Sequence, residues 1–84
     1  MGIADMIPAE MKGEKSRVVI WGRQEALVEK HRGLISYETE QILFRVKDGQ
    51  VYIKGTNLVI TSFGVYDAVV QGNITQVQLT EGIR

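Results

Sequence analysis

The chain has 84 residues, enough for one domain, and its 10 basic residues balance 10 acidic ones. A net charge of zero gives the chain as a whole no long-range attraction to nucleic acid or to anionic lipid. The absence of cysteine excludes a disulfide framework, a thiolate metal site and a cysteine nucleophile.

Residues 1–16 differ in pattern from the rest of the chain. Pro8 suits a first helical turn and Gly13 suits a helix end. Between and before them, apolar residues recur at roughly helical spacing: Ile3, Met6, Ile7 and Met11. We predict a short helical or disordered segment here. It either packs lightly on the domain or docks on a membrane or a partner. It lacks the basic region and unbroken apolar run of a signal peptide.

From Arg17 onward the chain is a series of β-prone segments separated by Gly, Asn and Asp. Asp48-Gly49 is a strong hairpin signal, because both central positions of a type I′ turn need positive φ. Gly55-Thr56-Asn57 and Gly72-Asn73 are interpreted as further turns. The predicted strands are RVVIWG, EALVEK, LISYE, QILFRV, VYIK, LVITSF, AVVQ and ITQVQL.

These segments predict an all-β fold, a small antiparallel sandwich or roll of about 7–8 short strands. They recur too closely for crossover helices, so their pairing is expected to be antiparallel. Within the strands, alternate residues are expected to face inward, among them Ala26, Val28, Ile42, Phe44, Val46, Val51 and Ile53. The β domain is expected to span residues 17–80, with a tail at 81–84. VYIKG and AVVQG echo each other, each followed by Asn and an aliphatic residue, a similarity that hairpin patterning explains.

Several strands are apolar on both faces, which a half-solvated sheet is not. They include Val18 to Trp21, Ile42 to Phe44, Leu58 to Ile60 and Ala68 to Val70. Both faces of such strands require cover, and in so short a chain a second copy can supply it. Burying one aliphatic side chain is worth roughly 1.5–3 kcal/mol. We therefore expect a homo-oligomer, most simply a homodimer.

His31 is the only histidine, and it lies in the charged stretch Glu29-Lys30-His31-Arg32-Gly33. A single histidine without cysteine makes a poor transition-metal site, and the chain has no nucleophile elbow for Ser36 to occupy. Phosphate-loop glycine spacings are also missing, so no cofactor and no small-molecule substrate is predicted. We expect a structural corner, in which Gly33 permits a bend and His31 hydrogen-bonds across it.

The first third of the chain is basic, which permits a phosphate-facing patch. Its cations are Lys12, Lys15, Arg17, Arg23, Lys30 and Arg32. Glutamates are interleaved with them, as on an ordinary solvated surface. The aromatic residues are scattered, whereas a reader of single strands stacks bases on several exposed rings in a basic groove. Nucleic-acid or regulatory binding is therefore kept as the alternative function, and no nucleic-acid partner is expected.

The ordered combination of these short motifs resembles the YabP/YqfC family of sporulation proteins, most closely its YqfC branch. The resemblance spans roughly residues 5–80. It rests on His31-Arg32-Gly33 followed by Leu34 and Ile35, on the strand at Glu40, on GQVYIKG, and on Gly72-Asn73-Ile74 ahead of Val77. The proline-containing lead-in around Ile7-Pro8 also fits that branch.

This resemblance implies a non-catalytic protein made in the mother cell of spore-forming bacteria. It implies a small β-sheet interaction module in coat or cortex assembly. The expected partner is a sporulation membrane protein, and the expected location is the mother-cell cytoplasm, peripheral to the forespore-surrounding membrane. No catalytic, cofactor or metal residue follows from the family pattern. His31, Arg32 and Gly33 are candidate partner contacts.

Overall fold

A computed structural model describes residues 15–47 and 49–81, which form a single six-stranded antiparallel sheet. The strands are β1 (Arg17–Trp21), β2 (Glu25–Glu29), β3 (Leu34–Tyr37), β4 (Gln41–Val46), β5 (Gly49–Phe63) and β6 (Asp67–Glu81). Their order in the sheet is β1-β2-β6-β5-β4-β3. The predicted all-β antiparallel class is confirmed. Apart from residues 15 and 16, the predicted N-terminal segment lies outside the described residues.

The sheet has fewer strands than expected because two predicted turns lie inside long strands. VYIK and LVITSF join into β5 through Gly55, and AVVQ and ITQVQL join into β6 through Gly72. A Cβ atom on Gly55 would lie 2.0 Å from the Asn73 carbonyl oxygen, and one on Gly72 would lie 2.6 Å from that of Asn57. These glycines therefore let two backbones approach closely within a continuous ladder.

The long β5–β6 hairpin joins the two halves of the sheet, one containing β1 and β2 and the other containing β3 and β4. The first half of β6 pairs with β2 and the end of β5, whereas the start of β5 pairs with β4 and the end of β6. Register shifts occur in the middle of the hairpin. Both halves contribute to one buried cluster of Ala26, Val28, Ile42, Phe44, Val51, Ile53, Leu58, Ala68, Val70 and Ile74. The sheet is thus rolled on itself, and the predicted inward positions are buried except Val46, which is half-buried and packs against the cluster.

The two halves of the roll repeat the same local arrangement. The amide of Gly72 donates to the carbonyl of Gln24 in the β1–β2 turn at 3.1 Å. Likewise, the amide of Gly55 donates to the carbonyl of Glu40 in the β3–β4 turn, also at 3.1 Å. VYIKG and AVVQG end at these two glycines, so the sequence echo occupies equivalent positions in the two halves.

The β4–β5 hairpin exists, but its turn lies one residue earlier than predicted. Val46 pairs with Gly49, which leaves Lys47 and Asp48 as the connection. Asp48 lies outside the described residues. Gly49 belongs to β5, where a Cβ atom would lie 1.8 Å from the Thr80 carbonyl oxygen. Close contact with β6 therefore explains this glycine.

Candidate interaction site

The stretch between β2 and β3, residues 30–33, is a tight corner held by unusual backbone angles. Lys30 has φ 65° and Gly33 has φ 130°, both in the region that favours glycine. Between them the His31 side chain turns inward and is only 2% exposed. It is thereby the buried polar residue of the described core.

Both ring nitrogens of His31 bond to the backbone. Nδ1 accepts from the Gly33 amide at 3.1 Å, and Nε2 lies 3.1 Å from the Gly64 carbonyl oxygen, to which it must donate. These partners specify the neutral ring with its proton on Nε2. The ring stacks on Phe63 with a centroid distance of 5.1 Å and tilts against Phe44 at 5.4 Å.

Backbone hydrogen bonds tie the corner to two other parts of the roll. The His31 amide donates to the Tyr66 carbonyl at 3.0 Å, in the β5–β6 turn. The Arg32 amide donates to the Arg45 carbonyl at 2.6 Å, and the Arg45 amide donates to the Gly33 carbonyl at 2.8 Å. Residues 30–33 therefore connect β2, β4 and the β5–β6 turn at one end of the molecule.

The predicted bend with a histidine bonded across it is confirmed. The three candidate contact residues differ in access: the side chain of His31 is buried, Arg32 is exposed, and Gly33 is half-buried. Arg32 is the member of the three whose side chain can reach a partner directly. Contact between these residues and a partner stays a prediction.

The arrangement offers His31 little scope for chemistry in this conformation, because the backbone occupies both ring nitrogens. Among the described residues, no cluster of three or more His, Cys, Asp or Glu side chains is placed to hold a metal ion. An open polar groove lies at the β1–β2 turn, and it contains none of the predicted site residues. Its lining consists of Gln24, Glu25, Gln71, Gly72 and Asn73. That the protein is not an enzyme stays a prediction.

The tip of the β5–β6 hairpin was missed by sequence reasoning. Its turn is closed by the Gly64 amide, which donates to the Asp67 carbonyl at 2.7 Å. Phe63, Val65 and Tyr66 are 54%, 79% and 64% exposed. The sequence signal is that two apolar residues, Val65 and Tyr66, stand between Gly64 and Asp67, where turn positions are usually polar. We call Phe63 to Tyr66 the apolar tip.

Exposed cations lie on the segments connected to the apolar tip. Lys30 and Arg32 flank His31, whose amide bonds to Tyr66, and Arg45 bonds through its backbone to Arg32 and Gly33. Asp67 also lies here and pairs in register with Glu29. Glu29 in turn accepts from Nε of Arg17 at 2.6 Å, and this contact raises the pKa of Arg17 through hydrogen bonding and charge attraction.

Fold and site together define a small rolled antiparallel β domain whose loop corner is tied by a buried histidine. The chain belongs to the YabP family, whose profile matches residues 12–83. It is therefore a sporulation-related protein, and the YabP/YqfC resemblance found in the sequence is confirmed.

A relative from Bacillus subtilis (strain 168), named uncharacterized protein YqfC, is 29% identical over 75 residues. The matched segment covers 89% of this chain and 81% of the relative. No solved structure matches the chain significantly. In the described part of the chain, no helix has the length and apolar character needed to cross a membrane.

Proposed function

We propose that this protein is a non-catalytic interaction module in spore morphogenesis. It acts in coat or cortex assembly, on the mother-cell side of the forespore-surrounding membrane, and binds a sporulation membrane protein there. The observation that carries this proposal is the large share of apolar side chains left outside the core. Family membership supports the process, and these surfaces support a binding role.

The exposed apolar residues lie mainly on strand edges and at the apolar tip. Those above one third exposed are Ile20, Trp21, Leu34, Ile35, Tyr37, Val59, Phe63, Val65, Tyr66 and Leu79. β1 and β3 end the sheet, and among the described residues no strand pairs with their outer sides. Unpaired edges of this kind favour the addition of a strand from another chain.

A second copy fits the free edge of β1. Two β1 strands paired antiparallel about Val19 place Val18 opposite Ile20, and Arg17 opposite Trp21 of the other copy. An arginine over an indole ring is attractive, and within Arg17–Trp21 no like charges face each other. The proposed homodimer therefore forms by continuing the sheet across β1.

The proposed function is tested by time-lapse imaging of a fluorescent fusion to the full chain in its native host. We expect signal to appear only after asymmetric division and to gather around the forespore. A Trp21→Lys fusion tests the proposed β1 interface, because it sets a lysine opposite Arg17 of the other copy. An Arg23→Gln fusion is its control. Diffuse signal in growing cells, or a fusion that never gathers at the forespore, contradicts the proposal.

A further inference from the structure

The apolar tip presents hydrophobic side chains outward, and packing among the described residues does not explain their position. Val65 is 79% exposed, more than any other large hydrophobic side chain of the described residues. Its neighbour Tyr66 is 64% exposed. The tip is the end of the β5–β6 hairpin, closed by the hydrogen bond from the Gly64 amide to the Asp67 carbonyl.

The tip is held in this position from beneath by His31. The imidazole bonds to the Gly64 carbonyl, and the His31 amide bonds to the Tyr66 carbonyl. The His31 ring also stacks on Phe63. Two hydrogen bonds and one ring contact therefore fix a turn whose own side chains point to solvent. A tip that is ordered before binding loses less conformational entropy when it binds.

The charges around the tip suit an anionic surface. Lys30, Arg32 and Arg45 are exposed on the adjoining segments. The carboxylate of Glu29 is paired with Arg17, and Asp67 lies opposite Glu29 in the register. The chain has no net charge, so this local excess of cations acts only at short range, within a Debye length of about 8 Å at physiological salt.

We propose that the apolar tip is a lipid-binding site, which inserts Val65 and Tyr66 into the headgroup region of an anionic phospholipid bilayer. Lys30, Arg32 and Arg45 then contact lipid phosphates. A bilayer deforms around a convex apolar point, and tyrosine favours the boundary between headgroups and acyl chains. The inference rests on the membrane location in the proposed function. It deepens that function because it makes the lipid itself a ligand of the protein.

Flotation of the purified full chain with vesicles tests this inference. The vesicles contain either phosphatidylcholine alone or phosphatidylcholine with phosphatidylglycerol. We expect binding to the anionic vesicles, little binding to the neutral ones, and release as salt approaches about 1 M. The double variant Val65→Ser/Tyr66→Ser is expected to lower the bound fraction by at least about tenfold, because it removes the inserted apolar area.

Two matched controls separate the tip from general stickiness. Leu79→Ser removes an equally exposed apolar side chain elsewhere, and Arg23→Gln removes a cation at the opposite turn. Both are expected to bind like wild type, whereas Lys30→Gln/Arg32→Gln binds more weakly. Equal binding by wild type and the tip variant, or equal loss in the tip variant and Leu79→Ser, overturns the inference.

Insertion itself is measured by tryptophan emission. A Val65→Trp variant in a Trp21→Phe background is expected to shift to the blue on anionic vesicles, because the indole leaves water. An unshifted Val65→Trp spectrum with bound protein overturns insertion.

The vesicle experiment tests the lipid site and the imaging experiment tests the proposed function, so either proposal can fail without the other. No vesicle binding together with forespore localisation rejects the lipid site and leaves the proposed function intact. If the Val65→Ser/Tyr66→Ser fusion then loses its localisation, the tip binds a protein, and the lipid inference is overturned. Vesicle binding by a protein that never gathers at the forespore supports the lipid site and rejects the proposed location.

Discussion

At the scale of single residues, His31 joins the core to the apolar tip. Its ring bonds to the Gly33 amide and the Gly64 carbonyl, and such a hydrogen bond contributes about 0.5–1.5 kcal/mol to stability. Its sequence neighbours Lys30 and Arg32 remain in solvent. One buried residue between two exposed cations thus accounts for the charged stretch Glu29-Lys30-His31-Arg32-Gly33.

We predict that His31→Ala lowers the free energy of unfolding by about 2–4 kcal/mol. The substitution removes the ring between Phe44 and Phe63 and leaves the Gly33 amide and Gly64 carbonyl without their partner. Urea unfolding followed by far-ultraviolet circular dichroism measures the loss. His31→Phe keeps most of the ring packing and loses both bonds, so its cost is expected to be smaller.

The matched control for His31 is Arg32→Ala, whose side chain is exposed. It is expected to change the free energy of unfolding by no more than about 0.5 kcal/mol. If His31→Ala unfolds at the same urea concentration as wild type, the ring does not hold the corner, and a surface role for His31 regains support.

At the scale of elements, the strands were easier to predict than their connections. Alternating apolar residues place Ala26, Val28, Ile42 and Phe44 in the core, because their period of two is a local property. The Gly-Thr-Asn and Gly-Asn segments cannot be assigned from neighbouring residues alone, because they suit both a tight turn and a close contact between strands. Only the register of β5 against β6 shows which applies, and that register is set by residues far apart in sequence.

We predict that Gly55→Ala and Gly72→Ala each destabilise the fold by about 3 kcal/mol or more. The added methyl group would meet backbone oxygen at 2.0 Å in one case and 2.6 Å in the other. Gly72 also has φ 141°. Backbone on both sides of the bend has no room to move without breaking the ladder. Thermal unfolding by circular dichroism is the measurement.

Gly22→Ala is the control for the two bend glycines. Gly22 has φ 60° with no atom within 4 Å of an added Cβ, so its cost is expected to be only about 1–2 kcal/mol. If all three variants melt together, close approach of β5 and β6 is not what these glycines provide.

The candidate site was partly predictable on the same grounds. The bend at Gly33 and its bond to His31 follow from neighbouring residues, and the structure contains both. The contacts with Phe63 and Gly64 join residues more than thirty positions apart, which only the folded roll brings together. The apolar tip has a sequence signal, two apolar residues at turn positions, but the sequence does not show that these residues are exposed rather than packed inside.

At the scale of the whole molecule, the proposed dimer and the proposed lipid site constrain each other. Arg17 pairs with Glu29, and Glu29 with Asp67, so the tip lies near the Arg17 end of β1. Antiparallel pairing of two β1 strands reverses their directions. The two tips of a dimer then point to opposite ends, and a flat bilayer reaches one of them at a time.

The Val19→Lys substitution tests this geometry. It sets two lysines opposite each other at the two-fold axis, where like charges repel. We expect light scattering to show a dimer for wild type at tens of micromolar and a monomer for Val19→Lys. Val59→Lys, placed on the exposed outer face of β5, is the control and is expected to stay dimeric. A wild-type monomer under these conditions rejects the dimer.

If both proposals hold, the dimeric and monomeric variants differ in whether they cluster anionic vesicles. A dimer with two opposed tips links vesicles, so wild type and Val59→Lys are expected to raise their turbidity. Val19→Lys carries one tip per particle and is expected to bind vesicles without clustering them. Clustering by a monomeric Val19→Lys requires a second lipid contact on each chain, whereas binding without clustering by a wild-type dimer requires both tips to face the same side.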